Sequence, residues 1–167
     1  GKRAMNPERV GQSPYVLAEK SGFSIPPRTR CLVSEESEIG WHRPLSAEKL
    51  NPVLAFYEAR DSDHGLELAQ QIARFEGWGH SSVVHSSDPS IVAKFSSIPT
   101  GRVLVNTPAI MGGMGYSTDL EPSFMLGTGT WAGSITSDNV TALHLINIKR
   151  VAYQNRPWRD IYEEYAE

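Results

Sequence analysis

The spacing of apolar residues predicts one regular helix near the middle of the chain. Over residues 61–77, Leu68, Ile72 and Phe75 recur at intervals of four and three, so they share one helical face. Acidic residues at its start can cap it, and glycine can end it. Weaker patterns predict further helices over 13–22, 88–98 and 156–166.

Short runs rich in β-branched and apolar residues predict strands between these helices. Because strands and helices alternate, the chain is expected to be α/β, with a mostly parallel, doubly wound sheet. A later apolar run, in which apolar and polar residues partly alternate, predicts a strand of about ten residues after a long connection. The predicted strands cover 29–34, 53–59, 80–87, 102–106 and 141–153.

A glycine-rich segment without helical period follows the fourth predicted strand and extends to Val140. Within it, Gly127, Gly129 and Ala132 match the dinucleotide fingerprint G-x-G-x-x-A. That fingerprint needs a helix directly after it and an acidic residue about 20 positions on, and both are missing. The segment is too apolar for a solvated linker. The favoured interpretation is an ordered loop at an active site or an interface.

Composition excludes several classes of function. The 167 residues carry a net charge of −3, which gives no electrostatic footprint for nucleic acid or an anionic membrane. No apolar run approaches the roughly 20 residues of a membrane span. The single cysteine excludes an internal disulfide framework and favours a reducing compartment, the cytoplasm. The absence of an initial methionine suggests a tag remnant or a piece of a longer chain.

Few side chains suggest chemistry by themselves. Cys31 could be a nucleophile, but its position inside a predicted strand favours a buried structural thiol. His80 and His85 could flank a metal, yet no second ligand cluster has metal spacing, so no metal is predicted. His80 begins a predicted strand, from which its side chain can reach a site or simply face solvent.

Several motifs, taken in order, resemble the C-terminal part of the CoA-acylating aldehyde dehydrogenases. The resemblance runs over residues 10–153 and implies the catalytic-domain fold of that family. It also implies oxidation of an aldehyde with NAD or NADP through a cysteine thioester, and transfer of the acyl group to coenzyme A. The motifs are VGQSPYVLAEKSGFSIPPRTRCLV, PLSAEKLNPVLAFYEARD, GWGHSSVVHSSD, GRVLVNTPAIMGG and LEPSFMLGTGTWAGSITSDNVTALHLINIKRVAY.

The resemblance implies roles for individual residues. Glu48 falls on the glutamate that holds the nicotinamide ribose, and Leu50 falls where an apolar side chain packs beside the nicotinamide. His80 matches the family's G-x-G-H motif and is expected near the thioester or coenzyme A. The loop 107–113 is expected to line the aldehyde pocket through Thr107, Ile110, Met111 and Gly112.

The chain departs from the family in one large respect. The nucleophilic cysteine and the nucleotide-binding domain lie upstream of the matched region, and Cys31 does not match the nucleophile's motif. The resemblance therefore implies a partial catalytic domain over 1–140 and an oligomerisation strand with a tail over 141–167. Alone, the chain is expected to be inactive. Its expected partners are the missing N-terminal half and further copies of itself, in a dimer or tetramer.

Two other interpretations stay open. The chain could be a non-catalytic remnant that associates through its last strand, because a long apolar strand otherwise exposes an edge. It could also be an independent domain that binds a small molecule, which would require a closed pocket. The identity of the aldehyde and the choice between NAD and NADP are not fixed by these residues.

Overall fold

A computed structural model describes residues 5–124 and 127–165. It contains four strands and five α-helices among these residues, together with four short 3-10 turns. The strands are β1 (Leu32–Glu35), β2 (Val53–Phe56), β3 (Gly79–Val84) and β4 (Thr100–Val105). The helices are α1 (Pro14–Lys20), α2 (Ser62–Glu76), α3 (Pro89–Phe95), α4 (Ala109–Gly113) and α5 (Trp158–Glu164).

The strands pair in parallel, as the alternation of elements predicts. β1 pairs with β2, with Leu32 opposite Val53, and β3 pairs with β4, with Gly79 opposite Thr100. Helix α2 leads from the first pair to the second, and α3 connects β3 to β4. The α/β class and the parallel pairing are confirmed, but the described strands form two sheets of two rather than one.

The helix starts are capped by the residues that their sequences offer. The Asp61 carboxylate accepts a hydrogen bond from the His64 N–H at 2.8 Å, and Asp88 accepts one from Ser90 at the same distance. Ser13 caps α1 through its hydroxyl. These bonds satisfy N–H groups that have no partner inside the helix.

The two aspartate caps make stability depend on acid pH. The backbone hydrogen bond from His64 lowers the pKa of Asp61 from its usual 3.8, and hydrogen bonds from Ser90 lower the pKa of Asp88. Each carboxylate therefore stabilises the fold above about pH 3.8, and that contribution is lost as the pH falls through the folded-state pKa.

We expect the Asp61→Asn, Asp88→Asn double variant to lose this acid dependence while keeping its caps, since asparagine caps helices about as well as aspartate. At pH 6 the melting temperature of the double variant should differ from that of wild type, and at pH 2 the two melting temperatures should converge. A constant difference in melting temperature from pH 6 to pH 2 would contradict the claim that these two aspartates cause the acid dependence.

The core is small for a chain of this length. Six apolar residues are buried within 5–124 and 127–165, and the accessible surface is 12674 Å². A compact monomer of 18.5 kDa is expected to expose about 8,200 Å². Much apolar surface is therefore open to solvent. None of the helices in the described ranges has the length and apolar character needed to cross a bilayer.

The described chain differs from three expectations for the fold. The predicted strand 141–153 instead contains a 3-10 turn, Ala142–Leu145, followed by chain without helix or strand. A strand needs a neighbour for its backbone groups, and none pairs with this segment among the described residues. Cys31 lies just before β1 and is exposed, so it is not a buried strand residue. The predicted loop 107–113 contains the short helix α4.

Two predictions reach beyond the described residues. Positions 125 and 126 of the glycine-rich segment and position 166 of the last predicted helix lie outside them. Within the described residues, the last helix forms as Trp158–Glu164.

Candidate functional site

Glu48 lies in the loop that leads into β2, with its carboxylate free. The backbone N–H of Glu48 donates to Glu76 Oε2 at 2.5 Å, which ties this loop to the end of α2. The side chain is exposed, and no hydrogen bond or ion pair engages its carboxylate within the described ranges. The carboxylate can therefore accept hydrogen bonds from a ligand without losing a structural partner.

Leu50 occupies a strained position two residues further on. Its φ of 48° is in the left-handed region, which a leucine rarely adopts. Its carbonyl accepts a hydrogen bond from the Gly11 N–H at 2.9 Å, so the N-terminal turn helps to hold this conformation. The side chain is exposed. An apolar group thus projects into solvent close to a free carboxylate.

A groove of about 680 Å³ opens at the amino end of the β1–β2 sheet, and Glu48 lines it. Arg9 and Asn51 also line it, and each carries a buried atom, Nη1 and Oδ1 respectively, without a hydrogen-bond partner. Lys49 folds back onto the Leu45 and Ala47 carbonyls, and burial lowers its pKa. The Arg9 and Asn51 atoms are closed to solvent, so the accessible acceptor in this groove is the exposed Glu48 carboxylate.

The second half of the glycine-rich segment packs on the amino end of the β3–β4 sheet. Gly129 N–H donates to the Gly79 carbonyl at 2.8 Å. A Cβ on Gly101 would lie 2.9 Å from Gly79 O and 3.1 Å from Gly129 Cα. These glycines serve close contact between backbones. In the fingerprint stretch, Thr130–Ala132 forms a 3-10 turn and no helix follows directly.

His80, the second residue of β3, presents a free imidazole beside this contact. Its backbone N–H donates to the Gly77 carbonyl at 3.0 Å, which fixes the chain, and the residue is exposed. No side-chain bond of His80 is formed within residues 5–124 or 127–165. Nearby, Trp78 and Trp131 meet edge to face with ring centroids 5.8 Å apart. The imidazole is thus accessible at a rigid strand end.

At the opposite end of this sheet, Asn106 turns the chain from β4 toward α4. Its φ is 55°, a conformation that asparagine tolerates better than most residues. Its side-chain amide accepts from the Ser86 N–H at 3.0 Å and donates to the Ser86 carbonyl at 2.9 Å. This pair of hydrogen bonds holds the start of the segment 107–113.

The four residues predicted to line the aldehyde pocket divide into a buried pair and an exposed pair. Thr107 is buried, and its Cγ2 would lie 2.5 Å from a Cβ on Gly112, so these two pack on each other. Ile110 is 66% exposed and Met111 is exposed as well. The first pair therefore shapes α4, and the second presents an apolar surface at the carboxyl end of β4.

A buried interaction without any sequence motif holds this region together. Arg102 Nε donates to Asn139 Oδ1 at 2.9 Å, and Asn139 Nδ2 donates to the Gly113 and Glu121 carbonyls. Asn139 is buried. Neither residue belongs to a recognisable motif, and their separation of 37 positions leaves no local pattern to find.

The predicted site residues lie in three parts of the described chain. Glu48 and Leu50 lie before β2, His80 lies at the start of β3, and Ile110 and Met111 follow β4. Since β4 has six residues at about 3.3 Å each, its two ends are roughly 17 Å apart. No cluster of three or more His, Cys, Asp or Glu suited to a metal occurs in the part of the chain that the structure describes.

Comparison with known proteins relates nearly all of the chain to one group of enzymes. The crystal structure of an acetylating aldehyde dehydrogenase from Geobacillus thermoglucosidasius matches 94% of the chain at 40% identity, with a TM-score of 0.87. The chain is homologous to part of the acetylating aldehyde dehydrogenases. No protein-family model matches it.

Curated relatives show the same kind of partial match. The bifunctional aldehyde-alcohol dehydrogenase AdhE of Escherichia coli is 39% identical over 166 residues, which is 95% of the chain and 19% of that protein. The acetylating succinate-semialdehyde dehydrogenase of Clostridium kluyveri is 31% identical over 91% of the chain and 34% of its own length. The chain thus spans between a fifth and about a third of these relatives.

More distant solved structures share the fold at a TM-score of 0.65 to 0.66 and about 20% identity. One is a propionaldehyde dehydrogenase from Rhodopseudomonas palustris with bound CoA and an acylated cysteine, and it covers 82% of the chain. Another is an engineered glycolyl-CoA reductase with bound NADP⁺. These ligands belong to those proteins.

Proposed function

We propose that this chain is part of an oxidoreductase that converts an aldehyde to an acyl-CoA with NAD or NADP. The observation that carries the proposal is the match to an acetylating aldehyde dehydrogenase over 94% of the chain at a TM-score of 0.87. Bound CoA, an acylated cysteine and bound NADP⁺ in more distant relatives support the same chemistry. When bound, the nicotinamide accepts a hydride from the aldehyde carbon, and coenzyme A receives the acyl group.

Glu48 and Leu50 are proposed to hold the nicotinamide riboside. The groove fits this group because a free carboxylate can accept hydrogen bonds from two vicinal hydroxyls. The exposed Leu50 side chain offers an apolar surface for the ring. The strain at Leu50 supports a functional reason for its conformation, because strained backbone positions cluster at ligand sites.

The residues after β4 are proposed to wall the aldehyde pocket. Ile110 and Met111 present apolar surface there, while Thr107 and Gly112 pack together and fix the helix that carries them. Ligands of α/β folds commonly bind at the carboxyl ends of strands, which is where α4 begins. The nucleophilic thiol is proposed to come from outside this chain.

His80 is proposed to act near the thioester or coenzyme A, and its replacement tests that role. The test uses a joined enzyme, in which this chain replaces the matched third of the Geobacillus dehydrogenase. We expect His80→Ala to lower kcat by about 100-fold, the usual loss when a positioned proton-transfer group is removed. His85→Ala, which removes an exposed histidine at the other end of β3, should leave kcat within about twofold. Equal kcat values for the two variants would contradict the role of His80.

The chain is also proposed to assemble as a dimer or tetramer through residues 141–167, with residues 1–140 as the partial catalytic domain. Ile146, Ile148, Val151 and Tyr153 are all exposed. Extended chain with this apolar content is stabilised when it pairs with another strand. This segment therefore supports the association of copies.

A pair of lysine substitutions tests this assembly. In a strand, Ile146 and Ile148 share one face and Asn147 lies on the other. We expect Ile146→Lys with Ile148→Lys to give a monomer by light scattering, whereas Asn147→Lys should keep the dimer or tetramer. The same mass for both variants would rule out pairing through this face.

The alternative function is a non-catalytic module that keeps the fold and associates through the same segment. NAD(P)H formation with short aldehydes and coenzyme A separates the two. We expect no turnover by the isolated chain and CoA-dependent turnover by the joined enzyme. A joined enzyme that folds with the melting temperature and mass of its parent but has no turnover would support the non-catalytic module.

A further inference from the structure

The side chain of Asn139 joins three separate segments of the chain. Its Oδ1 accepts a hydrogen bond from Arg102 Nε in β4 at 2.9 Å. Its Nδ2 donates to the Gly113 carbonyl at 2.9 Å and to the Glu121 carbonyl at 2.7 Å. A primary amide has two N–H donors and one carbonyl acceptor, so both donors and the acceptor are engaged. These three hydrogen bonds are called the Asn139 clamp below.

The Asn139 clamp acts on the end of α4. Gly113 is the last residue of this helix, and the last carbonyls of a helix have no partner inside it. The Thr118 hydroxyl donates to the Gly112 carbonyl at 2.7 Å, one residue earlier. A helix of five residues is not stable by itself, so contacts from outside must hold it. Two side chains from later in the sequence therefore fix the carboxyl end of α4.

The residues at this end of α4 explain why hydrogen bonds from outside are needed. Gly112, Gly113 and Gly115 have no side chains to pack against β4, and glycine has more backbone freedom than any other residue. Gly115 uses that freedom, since its φ is 81°. The bonds from Asn139 and Thr118 therefore take the place of side-chain packing.

The position of α4 sets the position of an apolar surface. Ile110 and Met111 lie in this helix and are 66% and 41% exposed. The Met114 N–H donates to the Ile110 carbonyl at 3.0 Å, and the Tyr116 N–H donates to the Met111 carbonyl at 2.9 Å. The backbone of both residues is thus bonded to the turn that contains Gly113. A displacement of that turn moves both side chains.

We propose that Asn139 is a positioning residue that determines which chain length of aldehyde the enzyme prefers. The inference rests on the proposed function, in which Ile110 and Met111 wall the aldehyde pocket. Asn139 is buried, so it acts through α4 and not by touching the substrate. One methylene group in an apolar pocket changes kcat/KM by about 10- to 200-fold, and a wall that is free to move loses part of that discrimination.

The test compares two aldehydes in the joined enzyme. The measured quantity is the ratio of kcat/KM for acetaldehyde to kcat/KM for butanal. We expect Asn139→Asp, which keeps the size but removes both N–H donors, to lower this ratio by at least about tenfold. Thr118→Val keeps the shape and removes one hydroxyl, so it should lower the ratio by a smaller factor. KM for the nucleotide should stay within about twofold, because Glu48 and Leu50 lie beside the other sheet.

Ile98→Ala is the control for a loss of stability alone. Ile98 is buried just before β4, at the end of the strand opposite to α4. Its truncation lowers the melting temperature, as core truncations do, but should leave the aldehyde ratio within about twofold. A ratio for Asn139→Asp that equals the ratio of wild type or of Ile98→Ala would make Asn139 a structural residue only and overturn the inference. If Asn139→Asp does not fold, an unchanged ratio in Thr118→Val overturns it instead.

Hydrogen exchange separates this inference from the proposed function. With β3 as the internal reference, residues 110–116 of the joined enzyme should exchange at least about tenfold faster in Asn139→Asp than in Ile98→Ala. Equal exchange in the two variants overturns the inference whether or not the enzyme is active. Absence of turnover by the unsubstituted joined enzyme contradicts the proposed function and the role of Asn139 in aldehyde choice, whereas faster exchange then still supports the clamp on α4.

Discussion

Replacing Gly129 with alanine is expected to destabilise the isolated chain by about 3 kcal/mol, the upper end of the usual cost of overpacking. The added Cβ would lie 2.5 Å from Ser137 Oγ and 2.8 Å from Gly101 Cα. The serine can rotate, but the Gly101 backbone is fixed in β4. The glycine-rich segment and β4 must therefore move apart. Because the φ of Gly129 is −79°, alanine has no conformational penalty there, and the whole effect is steric.

Gly127 provides the matched control for this prediction. It lies two residues earlier, and a Cβ there would meet nothing within 4 Å. Gly127→Ala is therefore expected to change the free energy of unfolding by less than about 0.5 kcal/mol. Urea unfolding curves of the two variants and wild type measure both values. Similar midpoints for all three would show that the glycine-rich segment does not pack on the β3–β4 sheet.

The second large effect is expected on catalysis, from Glu48→Gln in the joined enzyme. The amide keeps the shape but removes the charge that strengthens hydrogen bonds from the ribose hydroxyls. Hydrogen bonds to a charged group contribute about 1.5–3 kcal/mol, so kcat/KM for the preferred nucleotide should fall by about 10- to 100-fold. Initial rates at varied NAD and NADP measure this fall and identify the preferred nucleotide.

The control for Glu48 is Glu67→Gln, which removes an exposed carboxylate on α2. That change should leave kcat/KM within about twofold, as expected for a surface substitution. Neither variant should shift the unfolding midpoint of the isolated chain, because the Glu48 carboxylate has no partner within the described residues. A kcat/KM for Glu48→Gln equal to that of Glu67→Gln would remove Glu48 from the nucleotide site.

Local features of the fold could be predicted from the sequence because their causes are local. The spacing of Leu68, Ile72 and Phe75 defines α2, and Asp61 and Asp88 cap helices where the sequence offers them. The strand β4 follows from its apolar run, Val103–Val105. In each case, neighbours within a few positions determine the structure.

Features that depend on distant partners could not be predicted. The apolar run at 141–153 has the composition of a strand, but a strand forms only beside another edge, and this segment has none within the described residues. Cys31 was expected inside a strand, yet β1 begins one residue later and leaves the thiol exposed. The bond between Arg102 and Asn139 depends on the path of the whole glycine-rich segment.

The candidate site shows the same division. The motif around Glu48 and Leu50 identifies the residues, and the structure adds the groove and the unusual backbone at Leu50. The sequence does not reveal that His80 and Ile110 lie at opposite ends of one sheet. The distance between them is a property of the parallel pairing of β3 with β4.

The central claim is that this chain supplies walls of an acyl-transfer site whose reactive thiol lies outside it. The most direct measurement is to incubate the joined enzyme with acetyl-CoA and locate the acetyl group by mass spectrometry of its peptides, for wild type and Cys31→Ala. The account predicts an acetylated cysteine outside this chain, at the same yield in both proteins. Acetylation of Cys31, or loss of the adduct in Cys31→Ala, would contradict it.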